Sequence, residues 1–396
     1  MFLKKKGHSD LIFDLAFSPD GSFVASGSRD STVKLWDVKT NSFIRTLDAG
    51  EDYVCTVAIS PDSKTIACGG TDDHVRLFEM ESGKQIKILK GHDSTVESIK
   101  FSYNGEFIVS GSADSSIIIW DAKTLEKRKI IEDVGTTVHR VCISPDNSEI
   151  AVSVLMMGIF IYNSATGELK DQIEEEDNVI NSMCYTKDGK YLIFGDDKKK
   201  IYIWDFKKKK KVKNLSGHKK IVNSVAISPD GKTIASGSFD GTIKLWDFEK
   251  MKLKQTLEGH EAEVYAVAFS PDGTILASAG ADKNVKLWEV TLPDLRNPKE
   301  FDTSEVFEDK KLNVNVNRLL RFNKILQVYK NVISLEKLAN LLKFSSISEL
   351  EEWLLDSEIK TYQIDTKTGE LLISEDLTDE INTLLEMFNS EKVDKI

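Results

Sequence analysis

The chain contains no run of about 18 apolar residues, which excludes a membrane-spanning helix. Three lysines stand between Met1 and Lys6, but no apolar stretch follows them, so no secretory signal peptide is expected. Cysteine is scarce. The four present, Cys55, Cys68, Cys142 and Cys184, form no CxxC pair, and the natural reading is reduced thiols in a cytoplasmic protein. A P-loop, a dinucleotide fingerprint, a His-Glu-x-x-His helix and a Gly-x-Ser-x-Gly elbow are all missing. The sequence therefore offers no catalytic residue, no cofactor site and no metal site, and an enzyme is not expected. Positive charge is lacking too. The net charge is −11 over 396 residues. Residues 300–396 carry 20 acidic and 12 basic side chains, a net of −8, while the 44 acidic and 41 basic residues before them leave only −3. Neither part has the basic excess that displaces counterions from nucleic acid.

What the chain does have is a period. An aromatic residue followed by an acid or amide returns seven times at intervals of 42 residues: Trp36-Asp37, Phe78-Glu79, Trp120-Asp121, Tyr162-Asn163, Trp204-Asp205, Trp246-Asp247 and Trp288-Glu289. A constant period of this length marks a repeat architecture in which each unit cannot bury its own face. Within a unit the alternation is that of strands. From Val222, the segments Val225-Ala226-Ile227, Thr233 to Ser236, Thr242 to Trp246 and Leu253 to Leu257 are separated by turns. One of these, Ser228-Pro229-Asp230-Gly231, suits a tight reversal because proline presets φ and glycine tolerates positive φ. Each unit should thus be four short antiparallel strands.

The units resemble WD40 repeats. Gly7-His8, Gly91-His92, Gly217-His218 and Gly259-His260 each place their His 28 residues before the unit's Trp. Ser26, Ser110, Ser236 and Ser278 lie ten before it, and Asp30, Asp114, Asp240 and Asp282 six before it. The resemblance implies that Asp, His, Ser and the Trp36, Trp120, Trp246 or Trp288 indole form one buried hydrogen-bonded chain in each blade. The chemistry suits this, since the indole only donates, the carboxylate only accepts, and Ser and His do both. These histidines are then structural, not ligands or bases. The resemblance covers residues 1 to about 291 and implies an all-β, seven-bladed propeller. The frame leaves the last blade without a good outer strand after Trp288, and Phe2, Leu3 and Lys4 fall at the equivalent positions seven periods back. The N-terminal strand should therefore close the ring.

Three units depart from the pattern. The second has Gly50, Cys68 and Phe78 at the His, Ser and Trp positions. The fifth has Glu176, Phe194 and Lys198 at the His, Ser and Asp positions but keeps Trp204. The fourth has Val134, Val152, Met156 and Tyr162. These blades are expected to rely on apolar packing. In the fourth, Leu155-Met156-Met157 replaces a polar turn, either as a special surface or as a turn that packs down.

The family resemblance also implies where a partner would sit. Three positions per unit point to one face, among them the third and fifth residues after the His. The fifth position holds Phe13, Cys55, Glu97, His139, Asn181, Asn223 and Tyr265 in turn. Leu11, Phe13, Arg29, Tyr53, Ile221, Phe239, Glu263 and Tyr265 fall in units six, seven, one and two, which adjoin in a closed ring. An apolar patch with a charged rim marks an interface, and aromatics and Arg are its usual anchors. The lysine runs Lys198-Lys199-Lys200 and Lys207 to Lys211 lie in successive turns of unit five and should open on opposite ends. Each is read as a solvated turn, with an anionic contact as the alternative. The Arg-Arg-Gly signature of phosphoinositide-binding propellers is absent.

Beyond a linker at 292–312, residues 313–396 change period from two to about 3.6. Leu319 to Tyr329 outline one helix. Ser334 can cap a second helix carrying Leu335, Leu338, Leu341 and Leu342, and Ser348 can cap a third around Trp353. Tyr362 to Ile364 and Glu370 to Ile373 read as a hairpin around Thr368-Gly369, and Asp379 to Phe388 as a last helix. Three helices and a hairpin resemble a winged helix, similar to the winged half of PCI domains, which assemble large cytosolic complexes. The third helix would present Glu349, Glu351, Glu352, Asp356 and Glu358, which repel phosphate and favour protein contact. The expected function is a non-catalytic scaffold: the propeller face binds a protein or peptide, and the acidic winged helix docks into a larger assembly. The alternative is an anionic-ligand module acting through unit five on lipid or nucleic acid. No nucleic-acid partner and no membrane insertion are expected.

Overall fold

The chain separates into two units, Met1–Thr291 and Leu292–Ile396. The computed structural model describes residues 7–50, 52–175 and 178–290 of the first, and 332–334, 338, 363–365 and 370–372 of the second. The proposed closing strand Phe2-Leu3-Lys4, the linker, Glu176 and the C-terminal helices with their acidic face lie outside these residues, save Leu338, which is helical and buried.

Among the described residues the first unit holds seven antiparallel sheets, six of four strands and a last one of three, each in simple sequence order. The sixth runs Val222–Ile227, Thr233–Ser238, Ile243–Asp247 and Lys252–Leu257. Its first turn forms because Gly231 takes a φ of 72° and the Ser228 hydroxyl donates to Asp230 at 2.5 Å. Asp230 also accepts from the Lys232 N–H at 3.0 Å, which satisfies the reversal internally. The seven innermost strands pack in order, and Ile12–Phe17 of the first blade meets Val264–Phe269 of the seventh, so the ring is closed by packing. The core is accordingly distributed. Seven apolar clusters fill seven seams, including one that joins Ile12, Leu15 and Trp36 to Ala266, Ala277 and Val285.

The seams are of two kinds. In five of them a side chain on the innermost strand accepts the N–H of a residue 43 positions on. Asp14 accepts from Val57, Thr56 from Ile99, Ser98 from Val141, Ser182 from Val225 and Ser224 from Val267, all at 3.0–3.1 Å. At the same five seams a glycine, Gly27, Gly69, Gly111, Gly195 or Gly237, lies so close to the next blade's Val that an added Cβ would fall under 3.0 Å from it. The fourth-to-fifth and seventh-to-first seams depart on both counts. Their frame positions hold Arg140 and Ala266, which cannot accept, and Ser153 and Ala279 stand in place of glycine. Ser153 instead donates to the Ile180 carbonyl at 3.2 Å. At the closing seam the Leu15 N–H is satisfied at 2.9 Å by its own neighbour Asp14.

The expectation that the irregular blades rest on apolar packing holds for the fourth, where Val134, Val152, Phe160 and Tyr162 join one buried cluster. It holds in part for the other two, where Cys68 and Phe78 join one apolar cluster and Phe194 another, but each also carries a polar group. In the second blade Arg76 pairs with Asp72, and its guanidinium occupies the space where a side chain on Gly50 would begin. A longer cation thus fills the place of the missing His. In the fifth, Phe194 removes the serine, and the Trp204 N–H finds no partner among the described residues. A buried polar group replaces the chain: Glu175 pairs with Lys211 and accepts from Asn178 at 2.9 Å, while fully buried Asp196 accepts from the Lys200 N–H at 3.0 Å. Burial without a like-for-like partner raises the Asp196 pKa.

In the second unit, Gln363–Asp365 and Glu370–Leu372 form the expected hairpin, and Val332–Ser334 adds to the far side of Glu370–Leu372. Leu371 at its centre is buried. Ser334 ends that strand before the helical Leu338, an extended backbone that also suits an N-cap.

Candidate interaction face

All seven innermost strands carry a bulge at the same place, one residue after they begin, where Phe13, Cys55, Glu97, His139, Asn181, Asn223 and Tyr265 are skipped in the ladder. A bulge re-aims the extra residue. Five of these residues, Phe13, Cys55, Glu97, Asn223 and Tyr265, line a central channel of about 440 Å³. Sequence reasoning found these positions through the family frame. The bulge that gives them their direction leaves no mark in a period of 42.

The structure brings most of the expected partner residues together. The Tyr265 ring stands edge-on to Phe239 at 5.1 Å and to Phe13 at 5.7 Å, so one aromatic run crosses the sixth, seventh and first blades. In the neighbouring seam the Arg29 guanidinium lies 5.0 Å over the exposed Tyr53 ring, donates to its hydroxyl at 3.3 Å and reaches Asp10 at 3.7 Å. Burial, and then the charge of Glu263, raise the Tyr265 pKa, with Arg29 opposing. Leu11 and Ile221 are half-buried and act through their backbone, accepting from the N–H groups of Arg29 at 2.8 Å and Phe239 at 3.0 Å. Those bonds tie the two loops of each blade that face this way.

The four polar chains are complete. His8 meets Asp30 at 2.9 Å and Ser26 at 2.8 Å, and Trp36 donates to Ser26 at 2.8 Å. His92 repeats this with Asp114, Ser110 and Trp120 at 2.9, 2.8 and 2.8 Å. His218 does so with Asp240, Ser236 and Trp246 at 2.9, 2.7 and 2.8 Å, and His260 with Asp282, Ser278 and Trp288 at 2.8, 2.7 and 2.7 Å. Direction follows from chemistry: indole N–H to Ser Oγ, Ser O–H to His Nε2, His Nδ1–H to carboxylate. Burial lowers the pKa of His92 and His218 although their aspartates oppose it. Burial alone would raise Asp240; bonds from Thr242, the Lys219 N–H and His218 bring it down to about 2.

Other features sort themselves. His139 is pushed down to about 3 by its surroundings and by Arg140, and Cys55 up to about 12 chiefly by burial, so the pair is neither base nor nucleophile. The two lysine runs lie at opposite ends of the strand Lys200–Asp205. In the second run Lys208 pairs with Asp205 at 3.1 Å, Lys209 with Asp171 at 2.9 Å, and Lys211 with Glu175. The Leu155-Met156-Met157 turn does not pack down: Met156 is 55% and Met157 36% exposed.

A family model for the WD domain, G-beta repeat, matches residues 2–37, 41–79, 83–121, 167–205, 209–247 and 251–289, more than half of the sequence. The chain belongs to the WD40-repeat family. Within the propeller the one long stretch left unmatched, 122–166, holds the first three strands of the fourth blade, whose four frame residues are all replaced. Among curated proteins it is similar to a ribosome biogenesis protein BOP1 homolog of Drosophila virilis, at 40% identity over 50 residues, covering 13% of this chain and 6% of that protein. The Aedes aegypti homolog is 44% identical over 46 residues, covering 12% and 5%. The alignments thus span about one repeat and a small part of those relatives.

Proposed function

We propose that this WD40 protein is a non-catalytic interaction scaffold whose propeller binds a protein or peptide on the face formed by blades six, seven, one and two. The carrying observation is the aromatic run Phe239–Tyr265–Phe13, of which Tyr265 and Phe13 line the channel, together with the Arg29–Tyr53 stack. Such rigid aromatic and guanidinium groups anchor interfaces. We further propose that residues 313–396 form a winged helix resembling the winged half of PCI domains and dock into a larger assembly, with 292–312 as linker. The strand order, with Val332–Ser334 and Gln363–Asp365 flanking Glu370–Leu372, supports that reading, and the acidic balance of this segment favours protein over nucleic acid. Four free thiols are consistent with a cytoplasmic setting.

The anionic-ligand reading is weaker, because three of the five lysines from Lys207 to Lys211 are already paired with carboxylates. The ribosome-biogenesis role named for the relatives rests on a single repeat and is not carried over. The test is affinity capture from cell extract with the full chain and with Phe13→Ala, Phe239→Ala and Tyr53→Ala variants. Proteins retained by the parent and lost from the variants support the face. Capture that survives all three but fails on Lys207 to Lys211 substitutions, and with rising salt, favours the alternative.

A further inference from the structure

Asp14, Lys100 and Arg140 line the cavity from positions outside the bulges, and the bulge residues add one charge. Of the seven bulge residues, Phe13, Cys55, Asn181, Asn223 and Tyr265 are uncharged in ordinary conditions, and His139 is held neutral by its surroundings. Glu97 remains. Its carboxylate has no hydrogen bond and no ion pair among the described residues, and it faces the same cavity as Phe13, Cys55 and Tyr265.

The neighbouring cation does not neutralise it directly. Arg140 spends its Nη1 on two backbone carbonyls, those of Glu97 at 3.3 Å and His139 at 2.8 Å. The other acid in the lining, Asp14, is occupied by Thr56 and by the N–H groups of Val57 and Leu15. A half-buried carboxylate left without a partner is costly, and burial does raise the Glu97 pKa, with Arg140 opposing.

We propose that the partner segment presents a lysine or arginine to this mouth, its aliphatic stem against Phe13, Cys55 and Tyr265 and its cationic head on the Glu97 carboxylate. This rests on the interaction-face reading above. The fit is one of shape and charge together. Lys and Arg carry an apolar stem and a charged tip, and the cavity offers the rings of Phe13 and Tyr265 and, beside its own Lys100 and Arg140, an acid at Glu97 that has no hydrogen bond or ion pair among the described residues. The same rim already holds one guanidinium in this manner, Arg29 over Tyr53 with its charge on Asp10.

The experiment is a screen of short randomised peptides on the full chain, on Glu97→Gln and on Tyr265→Ala. Peptides bound by the parent are expected to share a Lys or Arg. Glu97→Gln should weaken them roughly thirtyfold while melting no lower than the parent, since it removes a desolvated charge. Replacing the shared Lys by norleucine, or the Arg by citrulline, should match that loss. Peptides that fail on Tyr265→Ala yet bind Glu97→Gln as well as the parent, or that share Asp or Glu, overturn the cation and leave the face intact. Peptides indifferent to both variants, or an empty screen, overturn the face and the cation together.

Discussion

The ring of Tyr265 in the seventh blade stands at 84° to that of Phe13 in the first, with centroids 5.7 Å apart. Among the described residues, the seam it spans has no side-chain acceptor for an innermost-strand N–H of the next blade and no glycine pressed against that blade's Val. Besides its apolar cluster, this seam carries the ring pair and a bond of 2.7 Å from Lys283 to the Ser9 carbonyl. The aromatic residues expected to await a partner therefore also help hold the ring shut.

Tyr265→Ala removes two edge-on pairs and should cost about 1–3 kcal/mol of stability, at about 0.5–1.5 per pair. Tyr53→Ala, on an exposed ring, should cost about 1 kcal/mol or less. Urea unfolding of both variants separates the roles. Equal small losses would mean that Tyr265 is an interface residue only.

His218→Ala should cost about 1–3 kcal/mol, because it strands Asp240 and Ser236 in a buried setting. His139→Ala, at a side chain with no hydrogen bond among the described residues, should cost clearly less. Matching losses in thermal melts would undo the structural assignment of the four histidines.

Stability should fall with acid in two windows. His92 and His218 have folded pKa values below their unfolded one of about 6.5, so the unfolded state takes up protons first and stability is lost as pH falls below about 6.5. Asp240, depressed to about 2 against about 3.9 unfolded, adds stability that is lost as pH falls from about 4 through 2. Melting temperatures from neutral pH downward check the first window. His218→Gln should flatten it, and an unchanged slope in that variant would refute its origin.

Deleting Met1 to Lys6 should lower the melting temperature by at least about 2 °C. The seventh blade has three strands among the described residues, and those residues are the proposed fourth. A deletion that melts with the parent would place the closing strand elsewhere.

Much of this was legible in the sequence. The period fixed where each Trp falls, and hydroxyl and acid residues at constant offsets from it gave the four polar chains. What stayed hidden depends on neighbours in the ring. Arg76 stands where no offset would seek a substitute for His, and it is recognisable only once Gly50 and Asp72 flank it in space. The seam acceptors Asp14, Thr56, Ser98, Ser182 and Ser224 do recur every 42 residues, but their partners are backbone groups, which carry no side-chain signal. The exposure of Met156 was undecided because an apolar turn can fold either inward or outward.

The two unlike seams divide the circle into arcs of four and three blades. A cut between Ile173 and Asn178 would leave the smaller arc bounded by the two junctions that lack the N–H latch. Each fragment would keep its own latched seams, three in the larger and two in the smaller. Two pieces cut there are expected to rejoin through Ser153 and Ile180 on one side and, on the other, through Phe13, Tyr265 and the proposed closing strand.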